Sequence, residues 1–161
     1  MKKQDRKKII SIFPKTRGIK KFKLIRDEPV DKEVNDKYGH DNGDVVLKNV
    51  SKQIRKSIRS SDIDVRFGGE EFLALLIDVK EGESVAIAEK IRQAVESSPL
   101  EISGGVVIKK TISIGVCEYP TDSDKFWQAV KYSDVALYEA KENGRNKVVR
   151  FAKDMWKEEE Y

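Results

Sequence analysis

Gly68-Gly69-Glu70-Glu71-Phe72 sets two adjacent carboxylates against a glycine pair. Glycines let a ligand or another backbone come close, and carboxylates offer hard oxygens to a divalent cation or an acid–base group to a reacting hydroxyl. Successive strand residues point to opposite faces, so one acid addresses a given site while its neighbour supports it or turns away. Taken alone, the five residues equally describe an acidic hairpin tip that keeps a turn soluble. Cys117 has no His or Cys partner at ligand spacing and closes the apolar run from Ile112 to Val116, the setting of a buried strand thiol and not of a nucleophile or metal ligand. His40, the one histidine, follows Tyr38-Gly39 and reads as a structural hydrogen-bonding group.

The elements that must hold these residues can be read from periodicity. Residues 64–67 and 71–79 alternate or run apolar on either side of the glycine pair, predicting a hairpin with the acids at its tip. Val46, Leu47, Val50, Ile54 and Ile58 make one stripe of a helix over 43–61, preceded by Asp41-Asn42-Gly43 as a turn or cap signal. A second helix over 83–97 buries Ile87, Ala88, Ile91, Ala94 and Val95. A third, over 124–142, has Trp127, Val130, Leu137 and Tyr138 as core contacts and Gly144 as its stop. Strands are expected over 101–108, 111–119 and 148–151, followed by a charged tail, 152–161, that frays. Ile19 to Ile25 can form a strand, although a strand buried on both faces should carry fewer lysines. The fold class is α+β, a central mixed, mainly antiparallel sheet flanked by helices.

A chain of 161 residues fits one domain. Its 32 Lys and Arg against 28 Asp and Glu give a mild basic excess concentrated in the first 23 residues, too weak for a nucleic-acid footprint. No run of about 18 apolar residues exists, so no membrane segment is expected and the location is read as cytoplasmic.

Three further segments accompany the acidic tip. Asn35-Asp36-Lys37-Tyr38-Gly39-His40-Asp41-Asn42-Gly43-Asp44 resembles the N-D-x-Y-G-H-x-x-G-D segment of the GGDEF family of diguanylate cyclases. Thr111-Ile112-Ser113-Ile114-Gly115-Val116 resembles its T-x-S-I-G-V strand, and Ser133-Asp134-Val135-Ala136-Leu137-Tyr138-Glu139-Ala140-Lys141-Glu142-Asn143-Gly144-Arg145-Asn146 resembles its A-D-x-A-L-Y-x-A-K-x-x-G-R-N block. The resemblance covers about residues 31–151, read as the cyclase domain, with 1–30 as its atypical N-terminal segment. Four matches in order are far more specific than any one motif.

This resemblance implies a nucleotidyl-cyclase-like fold that condenses two GTP molecules into cyclic di-GMP and pyrophosphate, working as a homodimer with magnesium or manganese. Glu70 takes the metal-ligand position with Asp27, and Glu71 adds charge that assists the metal or proton removal. Asn35 and Asp44 match the guanine contacts, and Lys32, Lys141 and Arg145 the phosphate contacts. Arg59-Ser60-Ser61-Asp62 resembles the R-x-x-D product-inhibition motif, with Lys90 near the place of a second arginine. On residue types alone, Asp44 is also a helix cap, Asn35 a turn residue, Lys141 with Arg145 a basic helix C-terminus, and Arg59 with Asp62 a surface ion pair.

The resemblance fails at the N-terminus. Ser11 to Arg17 echoes the family's opening segment faintly, and the few residues from Arg17 to Asp27 leave no room for a helix of three turns, about 11 residues. Counting back without gaps from Asn35 puts Asp27 at the first metal position, with Pro29 and Asp31 where the family has a second Asp and a Phe. A gapped reading favours Asp31. The ungapped one is preferred, because an indel at a strand end shifts side-chain facing.

Overall fold

The computed structural model describes residues 22–27, 32–66, 71–80 and 82–157, with side chains from Val34 onward. Glu70, the glycine pair, Asp31 and the segment around Ser11 to Arg17 lie outside these, as do the side chains of Asp27 and Lys32.

Seven strands and four helices follow in order among the described residues: β1 (Phe22–Asp27), α1 (Lys32–Tyr38), α2 (His40–Ser57), β2 (Ile63–Arg66), β3 (Phe72–Ile77), α3 (Glu83–Glu96), β4 (Leu100–Ile102), β5 (Val106–Ile108), β6 (Ile114–Tyr119), α4 (Phe126–Glu142) and β7 (Val148–Arg150). Five strands form one sheet in the order β2-β3-β1-β6-β7. β1 runs antiparallel to β3, with Phe22 opposite Ile77, and to β6, with Asp27 opposite Ile114. β6 and β7 are parallel, so the sheet is mixed and mainly antiparallel, as expected.

Period-two patterning splits β3 between two cores. Phe72, Ala74 and Leu76 join Val46, Val50, Ile54, Ala88, Ile91 and Ile114 under α2 and α3. Leu73 and Leu75 join Cys117, Ala129, Val130 and Phe151 under α4. Helix α4 lies close on β6 because small residues face each other. A Cβ at Gly115 would come 2.1 Å from the Ser133 carbonyl oxygen and 2.4 Å from the Leu137 nitrogen.

Four expectations change. Helix α2 starts at His40, not Gly43, because Gly39 at φ 89° makes the break and Asn42 is buried within the helix. The strand expected over 101–108 is a small hairpin, β4–β5, reversed by Gly104 and Gly105 at φ 78° and 72°. Trp127 and Tyr138 are 37% and 57% exposed, since Ala129, Val130, Ser133, Ala136, Leu137 and Ala140 supply the buried face of α4. The tail does not fray through Lys157: Trp156 meets Tyr132 edge-on at 5.1 Å, and Tyr132 stacks on Phe151 at 4.0 Å.

Candidate nucleotide site

Register brings five chain ends together at one end of the sheet. The last residue of β1, Asp27, pairs with the first residue of β6, Ile114, and Ile114 pairs with the first residue of β7, Val148. Arg26 pairs with Leu73, so the start of β3 adjoins the end of β1. β2 and β3 pair antiparallel as far as Arg66 opposite Phe72, so the residues joining them leave the sheet at this end. Glu71 is half-buried at the root of β3. Asp27 therefore sits, by backbone position, beside the strand that leads out of the acidic tip.

Helix α1 follows β1 at this end and contributes Lys32 at its first position and Asn35 one turn later. The corner between α1 and α2 is closed by Gly39, whose N–H donates to the Asn35 carbonyl at 2.9 Å. Buried Asn42 locks it further, donating to the Tyr38 carbonyl at 2.7 Å and accepting from the Ser103 N–H at 3.0 Å. Asn35 packs its amide against the bare Cα of Gly43: a Cβ there would fall 1.8 Å from Asn35 Oδ1. That oxygen is buried and accepts no hydrogen bond within the described protein, a position that a ligand's N–H donor would relieve. Asp44, next along the helix, is exposed inside α2 and so is not its cap. His40 opens α2 and is exposed.

The cationic side comes from the end of α4. Lys141 is half-buried in its last turn, and Gly144, Arg145 and Asn146 all have positive φ, 100°, 59° and 47°. The Arg145 N–H closes the helix on the Ala140 carbonyl at 3.0 Å, and its guanidinium lies 3.5 Å from the Lys141 carbonyl. Asn146 is held on three sides. Its N–H donates to Ser113 Oγ at 3.1 Å, its amide nitrogen to Glu96 at 2.7 Å, and its amide oxygen accepts from Arg92 at 2.6 Å. Arg92 and its hydrogen bonds hold the Glu89 carboxyl below the usual range, and hydrogen bonds from Asn146 and Arg92 do the same for Glu96. Sequence reasoning missed Arg92, Glu96 and Asn146. The spacing of Glu89, Arg92 and Glu96 marks a helical ion-pair ladder, but nothing local points to a partner 50 residues on.

The second predicted site lies elsewhere. Asp62 is buried, with one oxygen accepting from the Arg59 N–H at 2.8 Å and the other from the Ile77 N–H at 3.0 Å. Its carboxylate thus shapes the turn after α2, while the Arg59 side chain, 58% exposed, donates to the Ile77 carbonyl. Lys90 reaches the Ser57 carbonyl at 3.5 Å, at the same end of α2. Burial and the neighbouring Asp122 push the Cys117 thiol well up, as expected of an inert strand cysteine. Among the described residues no three His, Cys, Asp or Glu side chains gather around a cation.

A β2–β3 pair joined through the acidic motif, a polar helix corner and a cationic helix end, carried on a mixed, mainly antiparallel sheet, make an α+β domain of the nucleotidyl-cyclase type. Residues 30–147 match the family described as diguanylate cyclase, GGDEF domain, and the chain belongs to that family. It is 44% identical over 125 residues to diguanylate cyclase A of Treponema denticola, covering 78% of this chain and 33% of that protein. To diguanylate cyclase DosC of Escherichia coli it is 38% identical over 134 residues, covering 83% and 28%. It thus spans about a third of the length of these curated relatives. The GGDEF domain of TpbB from Pseudomonas aeruginosa superimposes with a TM-score of 0.81 at 27% identity, covering 94% of this chain and 88% of that one. The GGDEF domain of DgcB from Caulobacter crescentus, solved with c-di-GMP, does so at 0.74 and 28% identity, covering 88% and 84%.

Proposed function

We propose that this domain is the catalytic unit of a diguanylate cyclase. What supports the reading is the strand register that sets Asp27 beside the root of the acidic hairpin and the start of β6, together with the unpartnered Asn35 Oδ1 against Gly43 and the cationic Lys141–Arg145 helix end. Asn35 and Asp44 hold the guanine, Asn35 offering donor and acceptor and Asp44 accepting from guanine N–H groups. Lys32, Lys141 and Arg145 hold the phosphates. The 3′-oxygen of one nucleotide attacks the α-phosphorus of the other, the bond to the β-phosphate breaks, and pyrophosphate leaves. The reciprocal attack closes the ring, so two subunits must face each other. Glu71 assists removal of the hydroxyl proton. The donor set fits a hard divalent ion, since carboxylates alone are implied: Asp27 and Glu70 would hold magnesium or manganese, which neutralises phosphate charge and helps activate the hydroxyl.

Incubation with GTP and magnesium should yield cyclic di-GMP and pyrophosphate by chromatography, and EDTA should abolish both. The second reading, an inactive cyclic di-GMP or GTP receptor, draws on Pro29 and Asp31 standing where the family has a second Asp and a Phe. Binding of either nucleotide without turnover would select it.

Product inhibition at Arg59, Asp62 and Lys90 belongs to the same proposal, with the exposed Arg59 and Lys90 heads as the ligand contacts and Asp62 holding the turn that presents Arg59. Arg59→Ala should weaken cyclic di-GMP binding by about tenfold or more, the loss of a charged hydrogen bond, and leave GTP binding nearly intact. Equal product affinity in calorimetry would remove this site.

A further inference from the structure

The loop that carries Arg145 is built in an unfavourable backbone region. Gly144 and Asn146 tolerate a positive φ, but Arg145 at 59° does not do so freely. Such conformations persist where surrounding contacts over-determine them. Here the contacts converge on Asn146, and the side chain that binds its amide oxygen is Arg92 of α3, 54 residues earlier in the chain.

Arg92 is itself prearranged. Its side chain is only 12% exposed, and its fork bonds Glu89 at 2.7 Å and Glu96 at 2.7 Å while reaching Asn146 at 2.6 Å. Glu96 then grips the other end of the same amide at 2.7 Å. Both polar ends of the Asn146 amide are thus fixed by one helix, and Asn146 is chained directly to Arg145.

We propose that Arg92 is a positioning residue for the triphosphate: through Asn146 it holds Arg145 in the left-handed turn that aims its guanidinium at the phosphates. This rests on the reading of Arg145 as a phosphate contact. A planar guanidinium serves three acceptors at once in fixed directions, which an ammonium does not. The role is therefore specific to arginine, and Arg92→Lys retains the charge without the geometry.

The test compares calorimetric binding of a non-reactive GTP analogue and of GMP to the wild type, Arg92→Ala, Arg145→Ala and the double variant. Arg92→Ala should weaken the analogue by about tenfold and GMP less than twofold, and should add nothing to the loss in Arg145→Ala, since coupled residues are not additive. Equal losses for both ligands, additive losses, or no loss would overturn the positioning role. Should Arg92→Ala fail to fold by circular dichroism, Arg92→Lys serves in its place, with a smaller loss again confined to the triphosphate. A wild type that binds the analogue no better than GMP would overturn the reading of Arg145 itself. A wild-type preference that survives the Arg92 substitutions would overturn the positioning role alone.

Discussion

Glu70 and Asp27 carry the enzymatic claim, and amide substitutions test it because they keep shape and remove charge. Glu70→Gln and Asp27→Asn should each abolish turnover with the melting temperature unchanged, whereas Asp31→Asn should be nearly silent. Turnover lost in Asp31→Asn and retained in Asp27→Asn would transfer the metal position to Asp31. Gly43 offers a sharper probe of the guanine corner. Alanine is favoured over glycine inside a helix by about 1 kcal/mol, which argues for a stabler protein. The new Cβ would fall 1.8 Å from Oδ1 and 2.7 Å from Cγ of Asn35, so the short, buried amide must be displaced and the gain should be offset. The binding cost should not be avoided: KM for GTP in Gly43→Ala should rise by about tenfold, the loss of one well-placed hydrogen bond. An unchanged KM, whatever the stability, would remove Asn35 from the guanine site.

Helix α3 connects the core to the loop of Gly144, Arg145 and Asn146, and its ion pairs should respond to acid. Glu89 and Glu96 have carboxyl pKa values held below the usual 4.5. The unfolded chain therefore binds more protons there, so their contribution is complete above about pH 5 and is lost as pH falls below it. Both are substantially solvated, which keeps the effect small and salt-sensitive. The urea midpoint of the wild type should drop more between about pH 5 and pH 3 than that of Glu96→Gln. Parallel curves would show that the pair contributes nothing. Helix α3 and the pairing of β2 with β3 were legible in the sequence because each has a clean period and its own punctuation, and α2 was legible by period alone, its start lying at His40 and not Gly43. The Arg92–Asn146 contact was not, since a contact across 54 residues leaves no local pattern. The β4–β5 reversal was missed because apolar residues flank Gly104 and Gly105 on both sides, as in one strand. Asp62 was read as a ligand, whereas burial has committed its two oxygens to main-chain N–H groups.

On the cyclase reading, ring closure requires the edge proposed to hold nucleotide to meet a second copy. Specific activity should therefore fall on dilution, because two half-sites associate by mass action. A flat specific activity across a hundredfold dilution series would contradict a transient catalytic dimer.

The place of β1 bears on how such a domain comes into being. It is made early, yet its partners are β3, with Phe22 opposite Ile77, and β6, with Asp27 opposite Ile114. A nascent chain leaving the ribosome must keep one row of this strand's backbone groups unclaimed until β3 emerges, and the other until β6 does, when almost all of the sheet has been made. Lys23, a poor signature for an interior strand, is what such an interval calls for, since charge discourages an open strand from pairing with a neighbouring molecule. The edge proposed to hold nucleotide, assembled from the end of β1 and the starts of β3 and β6, is therefore completed late.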